Sequence, residues 1–350
     1  MPLTGYLTAA GLESSLIHMS TTYPAICQQV MLPEASNENR FSRAVKIANG
    51  SGASRPGILV ISGVHAREVA NPDATAAFGI KLCQAYTTGT GLTFGSKTYT
   101  NAIVKQIVDR SDIVLFPLVN PDGRVFVQTP GPGNAMWRKN RNPNTGLPGK
   151  GVDINRNYDF LWSSGIGTST DSKSDTYRGS GPFSEPETRN VRFLLDFFPN
   201  IRLMIDVHSY SELVLFPWGD DNNQSTKPTQ NFQNPVFNGV RGVLGDSAYS
   251  EFIPSSDASW YAANCVRIRD AIAAVRGRVY TAEQSPDLYP TTGTSDDYVF
   301  ARHFVDSNKS PVRGITIETG QEFQPAFPEA ADVMNEAAAG VMEACFINCA

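Results

Sequence analysis

Several things are scarce in this chain of 350 residues, and each scarcity removes a class of explanation. Cysteine occurs five times, at Cys27, Cys83, Cys265, Cys345 and Cys349, and never as CxxC, which argues against a cysteine-built metal knuckle. Cys345 and Cys349 stand four apart on an expected last helix, a spacing that does not favour a bridge; a disulfide among the others would imply an oxidising compartment. Basic charge is not in excess: the formal net charge is -5, so no nucleic-acid partner is expected. No apolar run approaches the roughly 20 residues that cross a bilayer, so no membrane partner is expected. Met1 to Ala10 has neither a basic stretch nor a long apolar one, so no secretory leader is read there. Histidine occurs four times, at His18, His65, His208 and His303, which leaves few candidates for imidazole chemistry.

What is present is ordinary for a large buried core: 41% hydrophobic and 18% charged residues. Apolar spacing predicts helices over residues 7–30, from Asn71 through Cys83, over 99–109, from Glu187 to Phe198, from Tyr261 to Arg276 and from Glu329 to Phe346. Strands are predicted at 44–48, 57–62, 113–119, 201–206, 213–216 and 314–318. Asn120-Pro121-Asp122-Gly123 reads as a turn, and 131–151, 163–184 and 220–235 as irregular segments. There are no internal repeats and no linker-like stretches. The alternation of strands and helices predicts an α/β fold, a single three-layer α/β/α domain over 1–350 with a mixed, twisted, mostly parallel sheet of about eight strands.

The stretch around which the chain is organised is Gly63-Val64-His65-Ala66-Arg67-Glu68. It follows the apolar strand at 57–62, where open α/β sheets place their sites. A histidine and a glutamate three residues apart can turn the same way on one tight turn, and imidazole with carboxylate suits Zn2+. A catalytic zinc wants a third protein ligand. His18 sits in the N-terminal helical pattern, and His303 falls inside an expected helix with no strand before it. His208 ends an apolar strand, so His65, Glu68 and His208 form the expected ligand set. Glu318 closes the strand Ile315-Thr316-Ile317 and is placed to act as a general base beside a metal-bound water. Asp153 is placed to accept the second N–H of a ligand histidine.

With these residues on the page, the chain resembles the zinc carboxypeptidase family. His65-Ala-Arg-Glu68, Asn120-Pro-Asp-Gly123, Met136-Trp-Arg138, Val152-Asp-Ile-Asn155-Arg156-Asn157, His208-Ser-Tyr210, Leu288-Tyr289-Pro290 and Ile317-Glu318-Thr319 occur in that family's order, across about residues 5–348. They look most like its A/B branch and bacterial relatives. The resemblance implies one Zn2+ per chain on His65, Glu68 and His208, with Glu318 passing a proton from water to the leaving amine. It implies that Arg138 stabilises the oxyanion, and that Asn155 and Arg156 grip the substrate's terminal carboxylate. It also implies that Tyr289 closes over the bound residue, and that Arg67 and Tyr210 line subsites further along the peptide. Peptide or protein C-termini are the implied partner, and a monomer is expected.

Tyr289-Pro-Thr-Thr-Gly-Thr-Ser-Asp296-Asp297 looks like the B type of the family, in which a carboxylate at the place of Asp296 goes with terminal Lys or Arg. The competing role for that segment is a helix start, with Ser295 as cap and the two acids favouring the N-terminus. The family's inhibitory pro-domain has no counterpart here, and the compartment stays open between secretion and cytoplasm. Three rivals remain: a same-fold enzyme cutting cell-wall or γ-linked peptides, a peptide-binding relative without catalysis, and an α/β protein without metal.

Overall fold

In a computed structural model the described residues are 5–50, 52, 55–145 and 150–349. Eight strands form one sheet: β1 (Cys27–Met31), β2 (Arg43–Ile47), β3 (Gly57–Ser62), β4 (Asp112–Phe116), β5 (Ile201–His208), β6 (Leu213–Phe216), β7 (Thr281–Gln284) and β8 (Arg313–Glu318). Their spatial order is β1-β2-β4-β3-β5-β8-β6-β7. Neighbours from β4 through β3 and β5 to β8 run parallel, as do β6 and β7, while β1/β2, β2/β4 and β8/β6 are antiparallel. The sheet is therefore mixed, with parallel pairings in the majority, as expected. The helices are α1 (Ala9–Thr22), α2 (Ala70–Thr88), α3 (Asn101–Arg110), α4 (Pro121–Gln128), α5 (Pro186–Phe197), α6 (Ser255–Arg276), α7 (Ser285–Leu288), α8 (Ser295–Val305) and α9 (Glu329–Asn348).

The central strands are buried on both faces, so each face has to be covered. Period-two alternation on β8 shows how. Ile317 points toward α9, where a methyl added at Gly340 would lie 3.1 Å from its Cδ1. Gly314, Thr316 and Glu318 point the other way, and a Cβ on Gly314 would collide with the Asp296 backbone at 2.4 Å. Helix α9 packs between α2 and α6 on the first face, and α8 packs on β5 and β8 on the second. Glu318 thus belongs to the α8 face by parity alone.

Three local expectations need correction. The helix expected over 7–30 ends at Thr22, ahead of Pro24, and Cys27–Met31 is the edge strand β1. Its apolar residues fit helical spacing by coincidence; antiparallel pairing with β2 decides the matter. Asn120-Pro121-Asp122-Gly123 starts α4 instead of closing a turn, because the Asn120 side chain accepts the Gly123 N–H at 2.8 Å and Pro121 fits the first helical turn. Strand β7 was not expected: Thr281-Ala-Glu-Gln284 has no apolar alternation and holds its place by parallel pairing to β6. All five cysteines are free thiols.

Candidate metal centre and substrate cleft

The site sits at the C-terminal ends of three adjacent parallel strands, β3, β5 and β8. After β3 the chain turns sharply at Gly63, whose φ of +65° is in the left-handed region. A side chain there would also strike Pro72 at 2.9 Å. The turn that follows carries His65 and Glu68, with the Glu68 N–H donating to the His65 carbonyl at 3.2 Å. His208 is the last residue of β5 and pairs in register with Glu318 at the end of β8.

These residues converge. His65 Nδ1 is 2.7 Å from Glu68 Oε1, His208 Nδ1 is 3.1 Å from Glu68 Oε2, and the two Nδ1 atoms are 3.1 Å apart. All three residues are buried. The far nitrogen of each ring faces another buried carboxylate. His65 Nε2 donates to Asp153 Oδ1 at 3.1 Å, and His208 Nε2 lies 3.0 Å from Asp206 Oδ1, off the straight line of a hydrogen bond. With each Nε2 proton turned to a carboxylate, two Nδ1 lone pairs and a carboxylate point at one spot and repel one another, which a cation between them would relieve. Atoms about 2.0–2.2 Å from a tetrahedral zinc stand roughly 3.3–3.5 Å apart, within a few tenths of an ångström of most of these spacings. The donor set fits the ion.

Burial alone would raise the Glu68 pKa, but the His65 and His208 imidazoles pull it well below the usual carboxylate range. Burial would lower His208, yet Asp206 and Glu68 hold it well above its ordinary value. Glu318 lines the cleft with its Oε2 buried and without a hydrogen-bond partner among the described residues. Burial, with Glu68 and Asp206 nearby, pushes its pKa up to about 7 against the pull of His208 and Arg138.

Asp153 serves two sides of the cleft. Its Oδ1 meets His65, and its Oδ2 accepts from Arg138 Nε at 3.0 Å and Nη2 at 2.9 Å. Burial would raise the Asp153 pKa, but Arg138 and His65 keep it well below the usual range. The next turn presents Asn155 and Arg156. Asn155 Oδ1 accepts the Ser295 N–H at 2.9 Å, and Arg156 is fixed by the carbonyls of Gly167 and Asn155 with Nη2 3.5 Å from the Tyr289 hydroxyl. Arg67 lies over the Phe323 ring at 4.1 Å, and Tyr210 packs edge-on against the same ring. Arg67, Arg138, Asn155, Arg156, Tyr210, Tyr289 and Glu318 therefore line one cleft with the His65–Glu68 turn.

A deeper hollow opens beside it, lined by Leu215, Thr294, Asp296 and Thr316 and sharing Asn155, Arg156 and Tyr289 with the cleft. Asp296 is 5% exposed and accepts from the Thr316 hydroxyl at 3.2 Å. Burial raises its pKa, with Asp206 adding to the effect. Asp296 also lies in the first turn of α8, as the helix-start reading expects, but the N-cap residue there is Thr294, not Ser295. His18 is on the exposed side of α1 and His303 packs on Phe304 in α8, both outside the cleft.

Sequence reasoning missed Asp206, Ser295, Thr316 and Phe323. Asp206 had a usable signal: it stands two residues before His208 on one strand, so both share a face.

The sequence pattern of the zinc carboxypeptidase family matches residues 12–344. The chain belongs to the zinc carboxypeptidase family. A carboxypeptidase B of Astacus astacus is 30% identical over 303 residues, covering 85% of this chain and 82% of the relative. Carboxypeptidase A4 of Mus musculus is 33% identical over 201 residues, covering 57% of this chain and 44% of the relative, so the matched stretch spans less than half of that protein. The crystal structure of carboxypeptidase A from Helicoverpa armigera shares the fold at a TM-score of 0.72 and 21% identity, over 98% of this chain and 74% of that one. The family is one of zinc carboxypeptidases, enzymes that act on peptide C-termini. Relatives bearing A-type and B-type names both match, so names do not decide the terminal residue.

Proposed function

We propose that this chain hydrolyses the last peptide bond of peptides and proteins with a preference for C-terminal Lys or Arg, using one zinc ion held by His65, Glu68 and His208. The observation that carries the reading is the convergence of His65 Nδ1, His208 Nδ1 and the Glu68 carboxylate within 2.7–3.1 Å of one another, beside an arginine-lined cleft. Zinc there supplies Lewis acidity and makes water acidic enough to attack near neutral pH.

The remaining work falls to the chain's own residues. Glu318, half-buried at the end of β8 with an unpartnered Oε2, takes the proton from the attacking water and returns one to the departing amine. Arg138, held by Asp153, offers a fixed positive charge where negative charge develops on the carbonyl oxygen. Arg156 and the Asn155 amide grip the terminal carboxylate; Asn155 Oδ1 is already occupied by the Ser295 N–H, which leaves its NH2 as donor. Tyr289, exposed at the rim and near Arg156, covers the bound residue. Arg67 and Tyr210, both against Phe323, contact residues further back. Asp296 at the base of the hollow pairs with a cationic side chain.

The test is a metal analysis of purified protein with hydrolysis of peptides that differ only in the last residue, with and without a zinc chelator. Expected are one zinc per chain, loss of activity on chelation, recovery on adding zinc, and faster release of Arg and Lys than of Phe. Stoichiometric zinc without release of any C-terminal residue would reject the reading.

A further inference from the structure

Asp206 has no part in the mechanism above, yet its two oxygens face two different functional elements. Oδ1 lies 3.0 Å from His208 Nε2, on the side of the ring away from the ligand atom. Oδ2 accepts from Ser295 Oγ at 2.5 Å. The Ser295 N–H in turn donates to Asn155 Oδ1 at 2.9 Å, and the next residue of α8 is Asp296 in the side-chain hollow. Asp206 and Ser295 are fully buried. The side-chain order is thus His208, Asp206, Ser295, and then Asn155 through the Ser295 backbone.

Parity makes this arrangement a property of the strand. Asp206 and His208 share a face of β5, and in register beside them Thr316 and Glu318 share the same face of β8. A residue two before the last ligand on β5 must lie under that ligand's ring and against the start of α8. An apolar residue there would leave the Ser295 hydroxyl without this acceptor, and His208 Nε2 without the carboxylate that faces it, in a buried layer.

We infer that Asp206 is a positioning residue that orients His208 for the metal and, through Ser295, fixes the start of α8 and Asn155 relative to the metal centre. The inference rests on the proposed zinc site. Asp153 plays the matching part for His65, so both ligand imidazoles are set by a buried carboxylate. Asp153 also accepts the Asn155 N–H at 3.0 Å, whereas Asp206 reaches the start of α8 through Ser295.

The experiment compares wild type with Asp206→Asn, Asp206→Ala and Ser295→Ala. Zinc affinity is read by chelator competition, and the visible spectrum of the cobalt(II)-substituted protein reads ligand geometry. Loss of a group that orients a metal ligand typically weakens metal binding by about 10- to 100-fold. Expected are a loss of that size with a shifted cobalt spectrum in Asp206→Ala, partial rescue in Asp206→Asn because its amide oxygen can still face Nε2–H, and a smaller loss in Ser295→Ala. In Ser295→Ala, KM should rise more than kcat falls, since the grip on the terminal residue loosens first. If Asp206→Ala does not fold, Asp206→Asn and Ser295→Ala decide through the same readings. Zinc affinity within twofold of wild type and an unchanged cobalt spectrum in the folded variants would overturn the inference. Wild type that holds zinc but releases no C-terminal residue would reject the proposed function, while the zinc and cobalt readings would still judge Asp206.

Discussion

Replacing Asp296 by asparagine tests the terminal-residue preference with almost no change in shape. Asp296 lines the hollow at 5% exposure and accepts from the Asp297 N–H at 3.0 Å and the Thr316 and Ser285 hydroxyls at 3.2 and 3.4 Å, with no cationic partner among them. Its pKa is raised mainly by burial, so the empty pocket holds its carboxylate at a cost that a cationic side chain would offset. Removing one member of a buried charge pair costs about 2–5 kcal/mol. The hollow opens into the solvent-facing cleft, which favours the lower part of that range, about 2–3 kcal/mol. At about 1.36 kcal/mol per decade, kcat/KM for a peptide ending in Arg should fall roughly 30- to 150-fold. The same peptide ending in Phe should lose nothing or gain, because no buried charge is then left unpaired. The assay is kcat/KM for the Arg/Phe peptide pair in wild type and variant, with a thermal melt as control. The melt should not drop, since the substitution removes a buried charge. A wild type that prefers Phe, or an Arg/Phe ratio that moves less than threefold, would refute the argument.

Arg138→Ala should lower kcat by on the order of 100- to 1000-fold with little change in KM, since its charge is needed mainly as the oxyanion forms; a rise in KM alone would show a binding role. Glu318→Gln should keep zinc, measured by elemental analysis, yet lose most turnover. A base must be unprotonated, so wild-type kcat/KM should climb with pH along an acid limb, and this limb should vanish in the variant. The limb should fall below the value of about 7 found without an ion, because a nearby cation favours the carboxylate. Glu187, buried beside Glu185 and Asn140, has its pKa pushed by burial and by Glu185 up to about 8 from 4.5. The folded chain therefore binds a proton that the unfolded chain releases between those values, and stability falls as pH rises from about 4.5 to 8. Glu187→Gln should be more stable than wild type at pH 8 and closer to it at pH 4 in urea titrations; equal differences at both pH values would contradict this.

The candidate metal cluster of His65, Glu68 and His208 was legible because few residues could supply it. Of four histidines, one pair stands just past or at the end of apolar strands, and those strands are separated in the sheet by nothing. Asp153, Arg138, Asn155, Arg156 and Tyr289 were found by motif and do line the cleft, apart from Asp153, which braces it from behind. Asp206 escaped notice because a carboxylate inside an apolar strand reads as an interruption until its neighbours across the sheet are known. Ser295 escaped because its value lies in what faces it. The edge strand Cys27–Met31 was absorbed into a helix, since spacing over a few residues cannot distinguish a short strand from a frayed helical end.

The sequence by itself determined the alternating α/β architecture, the strand ends that carry His65, His208 and Glu318, and the chemistry of those side chains, because apolar periodicity and residue type are local properties. Tertiary structure alone decided that β5 and β8 are neighbours with His208 opposite Glu318, that β1 and β7 form the edges, and that Asp206 lies between the His208 imidazole and Ser295 of α8. Strand order and register depend on contacts between residues far apart in the chain, and no local pattern encodes a distance between them.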